Sequence, residues 1–230
     1  MSYERICLTR YFVNDSYIFS TDFYFCLFVV ALLNKGKIIV IEGTDKAGKG
    51  TQSRLLINAL KLSGRICTIM DFPDYTTQIG QEIRAFLDGK RNYTVEVKHI
   101  LLSANRWEKK KEIESIIEKG NIIIMNRYYQ SNLVYGVSHG LDVKWLLNLD
   151  RGLPKEDIVI VLEVDPHTSY QRVPEYRDTF EMDQELLTKV HKNYRKLAKQ
   201  FNWKAVNGEK VSEQVHNEIM NIVERVLKFG

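Results

Sequence analysis

The stretch that decides the fold is Lys37–Gln52, "KIIVIEGTDKAGKGTQ". Its first part, Lys37–Glu42, is a continuous and largely β-branched run, which is typical of a strand buried on both faces. A glycine-rich loop follows directly, and Thr51–Ser63 predicts a helix with an apolar stripe that stops at Gly64. A strand, a glycine loop and a helix in this order form the context in which such loops bind phosphate groups.

The loop meets the pattern G-x-x-x-x-G-K-[ST] at Gly43, Gly48 and Lys49, but Gly50 stands where Ser or Thr is expected. Backbone N–H groups at a helix N-terminus bind anions, and the lysine adds a positive charge at the phosphates. Without a hydroxyl at position 50, we expect magnesium to depend on phosphate oxygens, water and Thr51. The predicted nucleotide-binding residues are Gly43, Thr44, Asp45, Lys46, Ala47, Gly48, Lys49, Gly50 and Thr51.

Strands and helices alternate along the rest of the chain. The remaining predicted strands are Arg65–Phe72, Asn121–Met125, Asp157–Val164 and Trp203–Val206, and the remaining helices are Thr94–Lys119, Gln184–Phe201 and Ser212–Leu227. This alternation predicts an α/β fold of three layers, with a parallel β-sheet flanked by helices on both faces.

Composition narrows the class of protein. The chain is 44% hydrophobic and 27% charged, and its net charge of +4 is too small to indicate nucleic-acid binding. Its three cysteines are widely spaced and indicate neither a disulfide framework nor a zinc site, which fits a reducing cytoplasm. The five histidines show no ligand spacing, so we interpret them as structural or surface residues.

Residues 1–36 differ from the rest of the chain, and we treat them as an N-terminal extension of a domain at 37–230. Within them, Phe23–Leu33 is an apolar run that is shorter than a membrane span. An element packed on the domain, a poorly ordered leader and a membrane-surface anchor are the open alternatives, with the anchor the least favoured.

Five motifs together resemble the thymidylate kinase family. They are "EGTDKAGKGTQ" (42–52), "FPDYTTQIG" (72–80), "LLSANRWE" (101–108), "NRYYQS" (126–131) and "GLPKEDIVIVLEV" (152–164). The resemblance runs from Lys37 to the C-terminus. It implies a P-loop NTPase fold, transfer of the γ-phosphoryl group of ATP to dTMP, a requirement for Mg²⁺, and a homodimer built on helices that include the one carrying "LLSANRWE".

The resemblance also implies roles for individual residues. Asp45 would bind the sugar 3′-hydroxyl of the acceptor, Arg106 the thymine edge and Arg127 the acceptor phosphate. The alternative for Arg106 is that it lies with Glu108 on a solvent-exposed helix face. The implied substrate-binding residues are Asp45, Phe72, Tyr75, Leu102, Arg106, Arg127, Ser131 and Tyr135. The implied catalytic residues are Lys49, Lys46, Arg127 and Arg177.

Two further parts of the ATP site follow from the resemblance. Residues 172–181 have the length of the family's lid, in which Arg172 would contact ATP. Thr179 stands where the family often carries an arginine, and Arg177 would take the role of that arginine. The turn Asn207–Lys210 is where the adenine ring would rest.

Four positions depart from the family pattern. Gly50 lacks the metal-binding hydroxyl, and Asn126 replaces an aspartate that holds magnesium through water. Leu102 replaces an aromatic residue that stacks on thymine, and Tyr75 a phosphate-binding arginine. We consider the carboxylates of Glu42, Asp45 and Glu163 as candidate metal helpers.

These departures leave three hypotheses for function. The leading one is a dTMP kinase. The second is a related kinase with relaxed acceptor choice, for example for dUMP, which Leu102 suggests. The third is a nucleotide-binding protein with weak or lost catalysis, which Gly50 and Asn126 suggest.

Overall fold

The computed structural model describes residues 35–165, 168–169, 180 and 183–228. Within these residues, five parallel strands form one sheet. The strands are β1 (Ile38–Gly43), β2 (Cys67–Asp71), β3 (Ile122–Asn126), β4 (Ile158–Glu163) and β5 (Lys204–Asn207). Their spatial order is β2-β3-β1-β4-β5, which confirms the predicted parallel sheet.

The central position of β1 explains its composition. All six of its residues are buried, and Val40 lies opposite Met125 of β3 on one side and Val159 of β4 on the other. A strand with neighbours on both edges and helices on both faces has no polar side, which favours a continuous apolar run. The carboxyl ends of β1 and β3 therefore lie next to each other, where parallel sheets bind ligands.

Helices cover both faces of the sheet, and this confirms the predicted three-layer architecture. They are α1 (Lys49–Leu62), α2 (Gln78–Leu87), α3 (Val95–Glu108), α4 (Lys110–Glu118), α5 (Tyr129–Ser138), α6 (Val143–Leu149), α7 (Gln184–Gln200) and α8 (Ser212–Lys228). One apolar core joins α4, α5 and α7 to alternate strand residues, including Val40. A second core joins α1 and α8 to the intervening residues, including Ile39.

The prediction of one helix over Thr94–Lys119 is wrong, because two helices occupy this range. Helix α3 ends at Glu108, and the backbone N–H of Lys109 donates to Arg106 O at 3.1 Å, a tighter turn than that of an α-helix. Helix α4 then buries Ile113 and Ile117. Because the helical pattern of the sequence continues across Lys109, the sequence did not indicate the break.

Among the described residues, three helices were missed by the sequence analysis. Helix α5 is buried on most sides, so its apolar residues form no single stripe, and α6 has only seven residues. Helix α2 did carry a local signal, since Thr77 precedes it and its hydroxyl accepts a hydrogen bond from Gly80 N at 2.9 Å.

The ends of the predicted elements differ from the observed ones by one to a few residues, as at α1, which begins at Lys49 within the loop motif. The proposed N-terminal extension lies outside the described residues except for Lys35 and Gly36. Gly36 N donates to Ile117 O at 2.7 Å. No helix in the described part of the chain combines the length and apolar character that a membrane span requires.

Candidate functional site

The glycine loop leads from β1 into α1 and folds around Lys49. The Lys49 side chain is only 8% exposed, and Nζ donates to Gly43 O at 3.1 Å and to Thr44 O at 2.7 Å. Gly43 has a φ of 139°. A Cβ atom there would lie 2.7 Å from Leu162 O, so this position requires glycine. The predicted loop is therefore wrapped around its lysine at the N-terminus of a helix, the geometry of an anion site.

Two further positions of the loop have a positive φ angle. Gly48 caps α1 with a φ of 97°, and Lys46 adopts a φ of 62° although it is not glycine. Non-glycine residues in this region carry strain that is commonly found in binding loops. Ala47 is buried, and the Thr44 hydroxyl lies 3.4 Å from the Ser169 hydroxyl.

All eight predicted substrate-binding residues line one cleft next to this loop. They are Asp45, Phe72, Tyr75, Leu102, Arg106, Arg127, Ser131 and Tyr135. Apolar and aromatic side chains line the cleft around a few polar and charged ones, a lining typical of small-molecule sites. Residues that are up to 90 positions apart in sequence thus meet at the carboxyl edge of the sheet.

Asp45 links the loop to the cleft. Its Oδ1 accepts from Arg127 Nη2 and its Oδ2 accepts from the Tyr135 hydroxyl at 3.0 Å, while Lys49 Nζ lies 3.8 Å away. Burial alone would raise the pKa of Asp45, but the positive charges of Arg127 and Lys49 hold that pKa well below its usual value. Asp45 is therefore a carboxylate at neutral pH.

Burial and the neighbouring Asp45 raise the pKa of Tyr135 well above its usual value. Its hydroxyl therefore stays protonated and serves as a donor. The Arg127 guanidinium also lies over the Tyr135 ring, 5.7 Å from its centre. Arg127 directly follows β3 and has a φ of 67°, which turns the chain as it leaves the sheet.

Arg106 is buried, and the alternative of a solvent-exposed helix face is wrong for it. Its side chain is 3% exposed, and Nε and Nη2 donate to Asp150 Oδ1 and Oδ2 at 2.9 and 2.8 Å. The Ser103 hydroxyl also donates to Asp150 Oδ1 at 2.9 Å. Glu108, by contrast, is exposed. A bidentate pair fixes the plane of the guanidinium, so Asp150 orients Arg106 in the cleft.

The Phe72–Tyr75 turn is held in the cleft by a residue that the sequence analysis did not select. Asn105 is fully buried, and its Oδ1 accepts from Asp74 N at 2.7 Å. Its Nδ2 donates to Asp74 O at 3.1 Å and to the Thr77 hydroxyl at 3.0 Å. The Asn105 side chain thereby binds both the backbone N–H and the backbone C=O of Asp74, which fixes the position of Phe72 and Tyr75.

Beyond the eight predicted residues, five more of the described residues line the cleft: Pro73, Leu87, Tyr128, Asn132 and Phe180. Asn132 follows Ser131 directly and faces the cleft, and Phe180 stacks on Tyr135 with 5.8 Å between ring centres. Leu102 lines the same cleft. Phe180 thus brings an aromatic ring to a pocket in which Leu102 offers none. The only signal for Phe180 was its place within the predicted lid, residues 172–181.

The predicted metal positions differ in their surroundings. Thr51 is exposed on α1. Asn126 ends β3, where its Nδ2 donates to Asp71 Oδ1 at 2.7 Å, and its Oδ1 is buried without a hydrogen-bond partner among the described residues. Across the same residues, no group of three or more His, Cys, Asp or Glu side chains is arranged to hold a metal ion.

The suggestion that Glu42 assists a metal is wrong, because its carboxylate is fully engaged in the protein interior. Oε1 accepts from the backbone N–H groups of Tyr128 and Ser131 at 2.9 and 3.1 Å. Oε2 accepts from the hydroxyls of Ser131 and Tyr194 at 2.6 and 2.9 Å. Glu163 faces Arg195, whose Nε lies 3.7 Å from Glu163 Oε1.

The turn predicted to hold adenine lies beside the glycine loop. A Cβ atom at Gly208 would lie 3.4 Å from Ala47 O, and Gly208 N donates to Glu163 O at 2.8 Å. Arg172 and Arg177, the predicted lid residues, lie outside the described residues. Their roles stay predictions.

Comparison with known proteins gives a consistent result. A family model described as thymidylate kinase matches residues 41–219. The chain is 35% identical over 199 residues to a thymidylate kinase of Danio rerio, covering 85% of this chain and 93% of that protein. It is 37% identical to a thymidylate kinase of Schizosaccharomyces pombe, covering 84% of this chain and 94% of that protein.

A solved structure of a thymidylate kinase from Candida albicans superposes with a TM-score of 0.74 at 29% identity. The match covers 83% of this chain and 92% of that one. That enzyme is described as having a broad substrate specificity.

Proposed function

Because the chain belongs to the thymidylate kinase family, we propose that its cleft binds dTMP and its glycine loop binds ATP, so that dTDP and ADP are the products. The observation that carries this proposal is that Asp45 belongs to both sites. It lies in the glycine loop and also lines the cleft in contact with Arg127 and Tyr135. A phosphoryl donor on the loop and an acceptor in the cleft are thereby brought side by side.

In this reaction an oxygen of the acceptor phosphate attacks the γ-phosphorus of ATP, and the bond from that phosphorus to the β–γ bridging oxygen breaks. The protein contributes position and positive charge, without a covalent intermediate. Lys49 and Lys46 lie in the loop and Arg127 at its border with the cleft, where they would offset the charge of the transferred group. Arg177 remains a proposed lid contribution.

The acceptor is oriented by the remaining walls of the cleft. Arg106, with its guanidinium plane fixed by Asp150, would donate to an acceptor oxygen of the base. Leu102, Phe72 and Phe180 supply apolar contact. Tyr135 is buried against Asp45, and its bulk favours a sugar without a 2′-hydroxyl.

The residues fit a magnesium ion that is held mainly by phosphates and water. Mg²⁺ commonly keeps several waters and takes only one or two protein ligands, so the lack of a carboxylate cluster in the described residues is compatible with it. Asn126 Oδ1, a buried oxygen without a partner among these residues, would accept from a magnesium-bound water. When bound, the ion neutralises charge on the β- and γ-phosphates.

A homodimer is part of the proposal. Helix α3 exposes Val97, Ile100 and Trp107, which are 37%, 44% and 38% exposed and recur on one side of the helix. A second copy of the chain would cover this stripe. An Ile100→Asp variant is expected to sediment as a monomer, whereas an unchanged mass would contradict this interface.

We further propose that the kinase domain spans 37–230 and acts in the cytoplasm. The cysteine pattern supports this location.

The test is an assay of diphosphate formation with ATP, Mg²⁺ and, separately, dTMP, dUMP, dCMP, dGMP and AMP. We expect dTDP to dominate and a Lys49→Ala variant to lose at least about a hundredfold in rate. Another preferred acceptor would support the relaxed-specificity alternative, and ATP binding without any turnover would support the loss of catalysis. Full activity of Lys49→Ala would contradict the proposed role of the loop.

A further inference from the structure

The orientation of Arg127 depends on a hydrogen-bond network beneath it. Arg127 Nη1 donates to the Ser131 hydroxyl at 2.8 Å and faces the Tyr194 hydroxyl at 3.5 Å, while Nη2 donates to Asp45. The Arg127 side chain is 14% exposed, so most of its surface is in contact with protein. Its direction in the cleft is therefore set by these neighbours rather than by water.

Glu42 sets the orientation of the Ser131 and Tyr194 hydroxyl groups. Each hydroxyl has one hydrogen, and the Ser131 and Tyr194 hydroxyls both give theirs to Glu42 Oε2. Their lone pairs then face Arg127, which can only donate. The buried carboxylate thus acts on Arg127 through two oriented hydroxyls, without a direct contact that would occupy the guanidinium.

Tyr194 has no role in the sequence analysis or in the proposed function. It lies in α7, is 3% exposed, and reaches Glu42 from 152 positions along the chain. We propose that Tyr194 is a positioning residue for the acceptor phosphate: together with Glu42, it holds Arg127 in the orientation in which the guanidinium meets that phosphate. This inference rests on the proposed function, because it takes Arg127 as the cation that binds the acceptor.

The test compares Tyr194→Phe with Tyr129→Phe in the full chain. Tyr129 is a suitable control because its hydroxyl also donates to a carboxylate, Glu156 Oε2 at 2.7 Å, but lies outside the cleft. We expect Tyr194→Phe to raise the KM for the acceptor about tenfold while the KM for ATP changes less than about twofold. Tyr129→Phe should leave both KM values unchanged. Equal changes in the two variants, or parallel changes in both KM values of Tyr194→Phe, would overturn the inference.

A double-mutant cycle guards against a purely structural effect. In an Arg127→Lys background the fixed guanidinium is gone, so adding Tyr194→Phe should raise the acceptor KM less than about twofold. If Tyr194→Phe raised the acceptor KM by the same factor in the wild type and in the Arg127→Lys background, a positioning role would be contradicted. This holds even if Tyr194→Phe is less stable than the wild type.

The outcome is separable from that of the proposed function. If wild-type protein prefers another monophosphate, the same ratios are measured with that acceptor, since Arg127 would hold its phosphate. If no acceptor turns over, dTMP affinity is measured calorimetrically for the two Tyr→Phe variants, with a selective tenfold loss expected at position 194. If dTMP does not bind to the wild type, both proposals fail.

Discussion

Gly50 is the residue at which the loop departs from its pattern, and its surroundings leave room for a side chain. A Cβ atom there would meet only Arg54 Nη1 at 3.9 Å, and Gly50 lies in the first turn of α1. Nothing in the described packing requires glycine at this position. The missing hydroxyl is therefore a chemical property of this chain and not a consequence of crowding.

A Gly50→Ser variant should need less magnesium than the wild type, because its hydroxyl follows Lys49 where a metal ligand is expected. The magnesium concentration for half-maximal rate measures this effect. The matched control is Gly50→Ala, which shares the gain in helix propensity of about 0.5–1 kcal/mol but adds no oxygen. An equal magnesium requirement in the two variants would show that the hydroxyl does not reach the ion.

Asn126 presents a different case, because its neighbour has the charge that it lacks. Asp71 and Asn126 are register partners of β2 and β3, and their side chains are 2.7 Å apart. Introducing Asp at position 126 would therefore oppose two carboxylates.

We expect Asn126→Asp alone to lower the free energy of unfolding by about 1 kcal/mol, and the double variant Asp71→Asn/Asn126→Asp to recover it. Urea denaturation of the two variants and the wild type measures this coupling. If both variants lost the same stability, Asp71 would not be the cause.

At the scale of elements, α3 assembles much of the cleft. Its buried polar face carries Ser103, Asn105 and Arg106, which bind the Phe72–Tyr75 turn on one side and Asp150 on the other. Because polar residues normally face water, the sequence of such a helix looks like that of a solvent-exposed helix. Here the polar atoms are paired with backbone and carboxylate groups, and that pairing positions two separate segments.

Asn105→Ala should uncouple the turn from α3. It leaves Asp74 N without its partner and removes one of the two donors to Asp74 O, the other being the Thr77 hydroxyl. We therefore expect a loss of about 2 kcal/mol in stability and a several-fold higher KM for the acceptor with little change for ATP. Asn217→Ala, in the exposed part of α8, is the control for an Asn→Ala change in a helix. A loss of stability without any change in the acceptor KM would refute the link to the cleft.

At the scale of the whole molecule, several buried groups make stability depend on pH. Burial lowers the pKa of His99 to about 4, and the ring is fixed by Asn132 Oδ1 at 2.6 Å and by His139 Nδ1 at 3.1 Å. The interpretation of His99 as a structural residue fits this geometry. The unfolded chain binds a proton at this residue near pH 6.5, whereas the folded protein does so only near pH 4.

The unfolded state therefore binds more protons between pH 6.5 and 4, and the stability present above pH 6.5 is lost as the pH falls through this window. We expect His99 to contribute up to about 3 kcal/mol of this loss. Denaturation curves at pH 7, 6, 5 and 4 measure the effect, and His99→Gln should show a flatter profile. His216→Gln is the comparison. Burial lowers the pKa of His216 as well, but this residue is less buried than His99, so its replacement should change the profile less. Identical profiles for wild type and His99→Gln would contradict this assignment.

The sequence alone determined the central strand, the glycine loop and the parallel sheet. These features depend on local rules: β-branched runs, glycines with positive φ and the order of elements along the chain. The eight residues selected for the acceptor site were identified by their motifs and lie together in the structure.

Only the tertiary structure revealed the break at Lys109, the helices α2, α5 and α6, and the supporting residues Asn105, Asp150 and Tyr194. It also showed that Glu42 is occupied by four donors and is not available to a metal. For Asn105, Asp150, Tyr194 and Glu42, the physical reason is that their partners lie between 31 and 152 positions away in the chain. A hydrogen bond over such a distance has no local pattern, whereas a strand or a glycine loop does.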